Sequence, residues 1–557
     1  IVSSADQLWI AYKGKKLKDN QLVFWTVKVF TNNGNSAWAQ PQSFSVGLLD
    51  EGHWEGRWIG IDHLLNGESM GFKTRVNARY LRTEIDLAAG KKVRRATAYV
   101  ASLGLYELFV NGQKQGCDVL APQQTDTRKS VIYNTFDITN SLATGNDKDN
   151  NNGNSKDNSK DNGTSKACIG IVLGNGRTVP MRYDKHWKTP FLGFPKCRFM
   201  LVVEYSDGTV NHFSSSEKWK ATANGPIRSN NEYDGEVYDA RMEMDNWATV
   251  GFDDSHWQNA ERTDVPMGEL CGQPAPNMRV LSTISPKSIR KTERGTFIVD
   301  FGQNTAGWVQ MKMRGNRGDS IKIKYAEKLA DDGNLFIANL RDAETEDKYI
   351  CSGIDNNRKW HSTFVYHGFR FVEVSGMASL SASDIEAQVV ADDMASIGEF
   401  SASNATLNGI YNNAWWGIQS NYKGYPVDCP QRNERQPWLG DRVMGCLGES
   451  YLFGNERLYT KWMRDICESQ RSNGTLCDVS PAFWNYYNDD ITWPSALPFG
   501  CDMIYSQFGN DEPIKASYPA LKKWVAHVIG EYMENGIITK DKYGDWCVPP
   551  EDLSLIH

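Results

Sequence analysis

Asp428-Cys429-Pro430-Gln431-Arg432-Asn433-Glu434-Arg435-Gln436-Pro437-Trp438-Leu439-Gly440-Asp441 packs carboxylates, arginines and a tryptophan into one short segment broken twice by proline. Proline has no N–H to give a helix, and acids buried without partners are costly, so the stretch belongs on the lining of a polar cleft rather than in a core. Trp415, Trp416, Trp484, Trp493 and Trp546 offer flat apolar walls of the kind that stack on sugar rings, beside carboxylates able to hold hydroxyls. Read from these residues, the chemistry is that of a carbohydrate enzyme.

Around this stretch the apolar residues recur at helical spacing. Leu407, Ile410, Tyr411, Ala414, Trp415, Ile418 and Tyr422 follow a Ser403 or Asn404 cap, and a second run goes from Leu458 through Tyr459, Trp462, Met463 and Ile466 to Cys467. A third, Leu521, Trp524, Val525, Val528, Ile529, Tyr532 and Met533, stops at Gly536. Trp462 and Trp524 lie within these stripes and read as core. Amphipathic helices joined by aromatic, Gly- and Pro-rich loops are how an α/α barrel presents a cleft.

Upstream the period is two. Phe24 to Phe30 and Trp38 to Phe44 flank the turn Thr31-Asn32-Asn33-Gly34-Asn35, a hairpin that reads as the end of a small β-sandwich over 1–47. Short alternating runs such as Tyr106-Glu107-Leu108-Phe109-Val110, followed by an Asn111-Gly112 turn, mark a second sandwich over 48–262. A polar insert at about 144–166, with near-repeats of Ser-Lys-Asp-Asn, is too polar to bury anything and is expected to be a disordered loop. Ile321 to Tyr325 and Phe369 to Val374 place a third β block at 263–396, and the helical unit occupies 397–557.

A chain of 557 residues exceeds what one core supports, which agrees with several domains. Its net charge of -7 speaks against nucleic acid or an anionic membrane as partner, and no run of eighteen apolar residues exists to cross a bilayer. The 11 cysteines include no CxxC pair and no Cys/His cluster at zinc spacing, so neither metal nor cofactor is assigned. Structural roles are expected for His361 and His367. Ile1-Val2-Ser3-Ser4 is neither an initiator nor a signal peptide, and the chain reads as a fragment of a longer one. Oligomeric state leaves no mark.

The segment 428–441 resembles the signature of the bacterial α-L-rhamnosidases of glycoside hydrolase family 78. Three more matches follow that family's order: Tyr233-Asp234-Gly235-Glu236-Val237-Tyr238-Asp239-Ala240-Arg241, Asp300-Phe301-Gly302-Gln303-Asn304 and Tyr366-His367-Gly368-Phe369-Arg370. The resemblance implies several β-sandwich domains, fibronectin-III-like at the start and concanavalin-like in the third block, followed by an (α/α)6 barrel that is incomplete in this chain. It implies an inverting hydrolase releasing terminal non-reducing α-L-rhamnose from plant polysaccharides or glycosides. By the same resemblance Glu434 is the general acid, and Asp428, Trp438 and Asp441 hold the sugar. Arg432 is a further sugar contact that instead can pair with the aspartates, as can Arg435. Weaker matches assign Asp490 and Trp493 to the sugar, and Trp484, Asp545 and Trp546 after them. The sequence departs from the commonest form at Asn433, often acidic, and Pro437, often glycine; Glu434 and Trp438 stay in register.

Carboxylates at Asp428 and Asp441 would keep a general acid protonated by like-charge repulsion. An inverting enzyme also needs a base roughly 6.5–9.5 Å from the acid. Roughly five helices precede His557, against twelve in a full barrel, so the base is expected beyond residue 557. Glu449 and Glu551 are the alternatives within the chain. Export from the cell is expected by resemblance alone. The other readings that fit are a different inverting (α/α)6 glycosidase and a non-catalytic glycan-binding protein.

Overall fold

The structure, a computed structural model, describes residues 2–5, 8–143, 165–185, 188–355 and 357–544. All but the last two residues of the expected polar insert, and Asp545, Trp546 and Glu551, lie outside the described residues.

The first unit is the expected hairpin. Leu22–Trp25 pairs antiparallel with Gln42–Ser45, and inside it Phe30–Thr31 pairs with Gly34–Asn35 around Asn32-Asn33. Phe24, Phe30 and Trp38 are more than half exposed.

The second unit is a sandwich of a seven-stranded and a six-stranded sheet. Alternation along Leu105–Val110 sends Tyr106, Leu108 and Val110 into a core shared with Leu81, Val100, Ile169, Ile171 and Leu201. Asn111 and Gly112 both have positive φ, +49° and +80°, as a two-residue hairpin turn between twisted strands requires.

A ten-stranded sheet forms the third unit, threaded by the long strand Phe297–Met313. Pairing crosses the boundary read from the sequence at residues 262 and 263. Ile227–Asn231 and Gly235–Asp239 join this sheet through Glu346–Ile350, while Glu269–Gly272 returns to pair with Ser130–Asp137 in the sandwich. Sheet membership is a long-range choice, and alternation within a strand carries no trace of it. The exchange puts Glu232 and Tyr233 at the junction of all three large units. His367 is fully buried, stacked on Tyr325 and bonded to Asp347, and His361 stacks on Trp308.

In the last unit Ala405–Ser420, Glu456–Glu468, Ala496–Phe508 and Glu512–Tyr532 are the long helices, and Leu439–Val443 and Cys446–Ser450 are short ones. Trp462 and Trp524 are core, as their spacing predicts. Gly536 does not end the last helix. The helix stops at Tyr532, and Asn535-Gly536 turns a small hairpin between Met533–Glu534 and Ile537–Ile538. An Asn-Gly pair satisfies either role, and only the pairing of its flanks decides. Leu407 and Ile410, in the apolar stripe of the first helix, are 46% and 60% exposed. Among the described residues ten cysteines are free thiols and no helix is long and apolar enough to cross a membrane.

Candidate active site

The loop 428–438 is anchored from below by an arginine. Arg435, at φ +51° and fully buried, turns its guanidinium inward to the carbonyls of Glu232 and Tyr366, both at 2.6 Å, and to those of Gln431 and Arg432. It is therefore no partner for the aspartates or for hydroxyls, as its place in the motif left open; it is the pin of the loop. Arg177 from the sandwich reaches the carbonyl of Arg435 and the carboxylate of Glu232, each at 2.7 Å. Tyr233 donates to the carbonyl of Glu434 at 2.8 Å, and Gln436 donates to the same carbonyl. Gly368 lies so close beneath the loop that a Cβ there would stand 2.8 Å from Pro430 Cγ and 2.9 Å from Gln431 Cβ. Arg370, two residues on, holds Asp300 through a pair of hydrogen bonds at 2.8 and 2.9 Å. The four matched segments thus meet in space: the segments of Tyr233 and of Tyr366–Gly368 touch the acid loop, and the Asp300 segment ties down the strand that carries Gly368.

This scaffold presents Glu434 with its two oxygens in different company. Oε1 accepts from the Trp438 indole at 3.0 Å. Oε2 accepts from Arg432 Nε and from Arg341 Nη1, both at 2.9 Å. Asp428 stands beside it with its side chain 1% exposed, accepting from the Gln436 N–H at 2.6 Å and facing Arg432 at 3.4 Å. Burial first, and the Glu434 charge second, push Asp428 up to about 7. Asp441 opens to the cleft, yet the protein crowded around it strips water away and, with Glu434, raises it to about 6. Like-charge repulsion therefore acts within the trio, but behind desolvation. Asp428, Cys429 and Glu434 bring one ligand-type atom each within 4.8 Å of one another. Arg341 and Arg432 already occupy Glu434 there, and a cation would have to compete with them.

An aromatic wall continues from Trp438. Tyr486 stacks on it at 5.5 Å and 17°, and Trp484 and Tyr543 meet it edge-on at 6.1 and 6.2 Å. Trp484 is itself buried, under the ammonium of Lys188 at 3.2 Å. Asp490 and Trp493 are 1% and 7% exposed, and the geometry gives them a different task from sugar contact. Asp490 accepts from the backbone N–H groups of Trp493, Lys542 and Tyr543 at 2.7–3.0 Å, clasping two loops, and burial and its shared bond with Asp541 raise it to about 7. Trp493 fills the space beside Gly440, where a Cβ would come within 2.3 Å of its ring. Asp545 and Trp546 lie outside the described residues. Glu449 is not a base: it is buried, accepts from the Tyr422 and Tyr459 hydroxyls at 2.6 and 2.7 Å, and pairs with Arg442 at 2.6 Å. Arg341, Tyr486, Tyr543 and the bonds of Asp478 to Asn488 and Tyr543 were not foreseen from sequence. Aromatic density around 484–493 is the signal for Tyr486; Tyr543 lies outside that stretch, and Arg341 has none.

Four family profiles match in succession: the Rha78A-like N-terminal immunoglobulin domain at 1–50, the alpha-L-rhamnosidase N-terminal domain at 91–152 and 157–282, the bacterial alpha-L-rhamnosidase concanavalin-like domain at 290–391, and the bacterial alpha-L-rhamnosidase 6 hairpin glycosidase domain at 395–554. An alpha-L-rhamnosidase of Formosa agariphila is 32% identical over 586 residues, which cover 99% of this chain and 59% of that protein. The chain belongs to the bacterial α-L-rhamnosidase family. Among solved α-L-rhamnosidases, that from Dictyoglumus thermophilum superposes with a TM-score of 0.86 at 34% identity, over 97% of this chain and 59% of that one. A Streptomyces avermitilis α-L-rhamnosidase complexed with L-rhamnose shares the fold, with a TM-score of 0.84 at 23% identity, over 98% of this chain and 66% of that one. This α-L-rhamnosidase family chain thus spans less than two thirds of each, and its acid loop falls inside the segment matched as glycosidase.

Proposed function

We propose that this chain supplies the proton-donating and sugar-holding side of an inverting α-L-rhamnosidase site, which releases terminal non-reducing α-L-rhamnose from plant polysaccharides or glycosides. The observation that carries the reading is Glu434, a carboxyl presented at a cleft between an aromatic wall and the two desolvated aspartates Asp428 and Asp441. Glu434 gives its proton to the bridging oxygen as the glycosidic bond breaks, so the leaving group departs as an alcohol. Trp438 orients Glu434 through its indole N–H and offers its ring to the sugar. Asp441, open to the cleft, holds hydroxyls, and Asp428 is positioned behind. A double-displacement mechanism with Asp428 as nucleophile is disfavoured, because a buried aspartate that keeps its proton until about pH 7 is a poor nucleophile. Nor is Asp428 the base of an inverting pair, because it stands closer to Glu434 than the roughly 6.5–9.5 Å that admits a water.

The test is hydrolysis of an aryl α-L-rhamnoside and an alkyl α-L-rhamnoside by the full-length protein, with the anomer of the released sugar followed by NMR. The β-anomer is expected. Glu434→Gln should lower the alkyl rate on the order of 10²–10⁴-fold and the rate for an activated aryl group far less, since that leaving group needs little protonation. Release of the α-anomer would overturn inversion, and unaltered alkyl turnover in Glu434→Gln would remove the acid from its role. No turnover of either rhamnoside would leave a glycan-binding protein or a hydrolase for another sugar.

A further inference from the structure

A small cavity of about 30 Å³ lies where all three large units meet, behind the groups that pin the acid loop. Its wall takes Arg177 from the sandwich, Glu232 from the segment that crosses between sheets, Tyr366 from the third unit, and Lys423 and Tyr425 from the helical unit. Arg177, Tyr366, Lys423 and Tyr425 are each no more than 5% exposed. Arg177 Nη2 is taken by Glu232 and by the carbonyl of Arg435, but its Nε and Nη1 are buried without a hydrogen-bond partner among the described residues, and so is the Tyr366 hydroxyl. Lys423 adds a further donor. Two of its ammonium hydrogens go to the carbonyls of Val390 and Tyr422 at 2.7 and 3.4 Å, which leaves a third. Buried donors are costly to leave unmet, so this wall calls for an acceptor.

Charge decides which kind of acceptor fits. On the wall, Arg177 and Lys423 face the single carboxylate of Glu232. Behind it Asp392 offsets Lys423, and Arg435, 5.2 Å from the Tyr366 ring, brings another guanidinium. Among these side chains one positive charge is in excess. A water would accept from one or two of the donors and leave that charge unpaired where burial makes an unpaired charge expensive, whereas a monatomic anion meets several donors at once and cancels it. Burial pushes the Tyr366 hydroxyl well above its usual range, so it is a donor at any working pH. It pushes the Lys423 ammonium down, and an anion beside Lys423 acts the other way. The space suits one ion of chloride's size and is too small for a monosaccharide.

We infer that this cavity is a chloride site, and that the ion, held by Arg177, Tyr366 and Lys423, ties the sandwich, the third unit and the helical unit together beneath the acid loop. The site concerns the junction and not the reaction, so it stands whatever sugar the protein cleaves. The experiment takes the full-length protein and replaces sodium gluconate, whose anion is too large for the cavity, by sodium chloride at constant ionic strength. Tm should climb with the logarithm of chloride concentration, as for any ligand bound by the folded state alone. Tyr366→Phe removes one donor with little change of shape and should need about tenfold more chloride for the same rise, the scale of one hydrogen bond to a charged partner. Bromide should replace chloride, and crystals grown with it should show anomalous scattering in contact with Arg177 and Tyr366. That readout needs no variant, and it decides alone if Tyr366→Phe does not fold. The inference is overturned if Tm is the same in chloride and gluconate, if Tyr366→Phe responds to chloride as the unsubstituted protein does, or if the cavity holds water with no anomalous signal.

Discussion

Asp428 shows at the level of one residue how a site is held in tension. Its carboxyl has a backbone N–H and a guanidinium to favour ionisation, yet burial beside Glu434 outweighs both and raises it to about 7. A carboxyl raised in the folded state binds more protons there than in the unfolded chain between the two pKa values. Its contribution to stability is therefore present at low pH and lost as pH climbs from about 4 through about 7. Asp428→Asn, which keeps the shape and cannot ionise, should be relatively more stable than the native residue at pH 8 than at pH 5, by on the order of 2 kcal/mol. Denaturant unfolding of both proteins at the two pH values measures this. An unchanged difference would mean that Asp428 is ionised throughout. Activity should fall in the variant, since an amide N–H₂ would face the Arg432 guanidinium where the carboxylate now accepts from it.

Among the elements, the strand His367–Ser375 and the acid loop meet at a contact that only glycine permits. Gly368→Ala pushes a methyl into Pro430 and Gln431, and because the loop is pinned by Arg435 beneath it has little room to yield. We expect a loss of about 1–3 kcal/mol in stability, the usual range for an added methylene in a packed site, together with a fall in kcat as Glu434 shifts. Gly417→Ala is the matched control. It lies in the helix Ala405–Ser420 with open space around it, and there alanine should stabilise by about 0.5–1 kcal/mol with kcat unaltered. Thermal melts and initial rates on an aryl rhamnoside separate the two outcomes. If Gly368→Ala behaved like Gly417→Ala, the tight approach beneath the loop would be wrong.

Across the whole molecule, the acid loop belongs to the helical unit but is held by the β units. The bond from Arg177 joins the sandwich to it, those from Glu232 and Tyr233 come from the segment that crosses between sheets, and Arg341 belongs to the third unit. Removing the cation of the buried Arg177–Glu232 pair leaves a carboxylate with little water and no partner. Arg177→Met should therefore cost about 3–5 kcal/mol, and Arg177→Met with Glu232→Gln should cost less than the single change, because no charge is stranded. Equilibrium unfolding of the single and double variants reads this directly; a double variant less stable than the single would show that the pair is not what joins the units.

The sequence by itself determined the order of architectures and the segment proposed to do chemistry. Alternation of period two gives way to helical spacing after Ser403, and the prolines, acids and tryptophan of 428–441 have no use in a core. These are local properties, fixed by which faces of a strand or helix are apolar and by what proline forbids. Resemblance to the rhamnosidase signature singled out Glu434, Asp428 and Trp438, which the fold brings within bonding or electrostatic reach of one another. What the tertiary structure decided is which of the remaining polar residues face the cleft. Asp490, Trp493, Trp484 and Arg435 sit in or beside motifs and are buried as braces, whereas Arg341, far away in sequence and without a motif, reaches the acid. The physical reason is that hydrogen bonding and desolvation depend on neighbours brought together by long-range packing. Nothing in the residues next to Arg341 records that Glu434 is waiting 2.9 Å away.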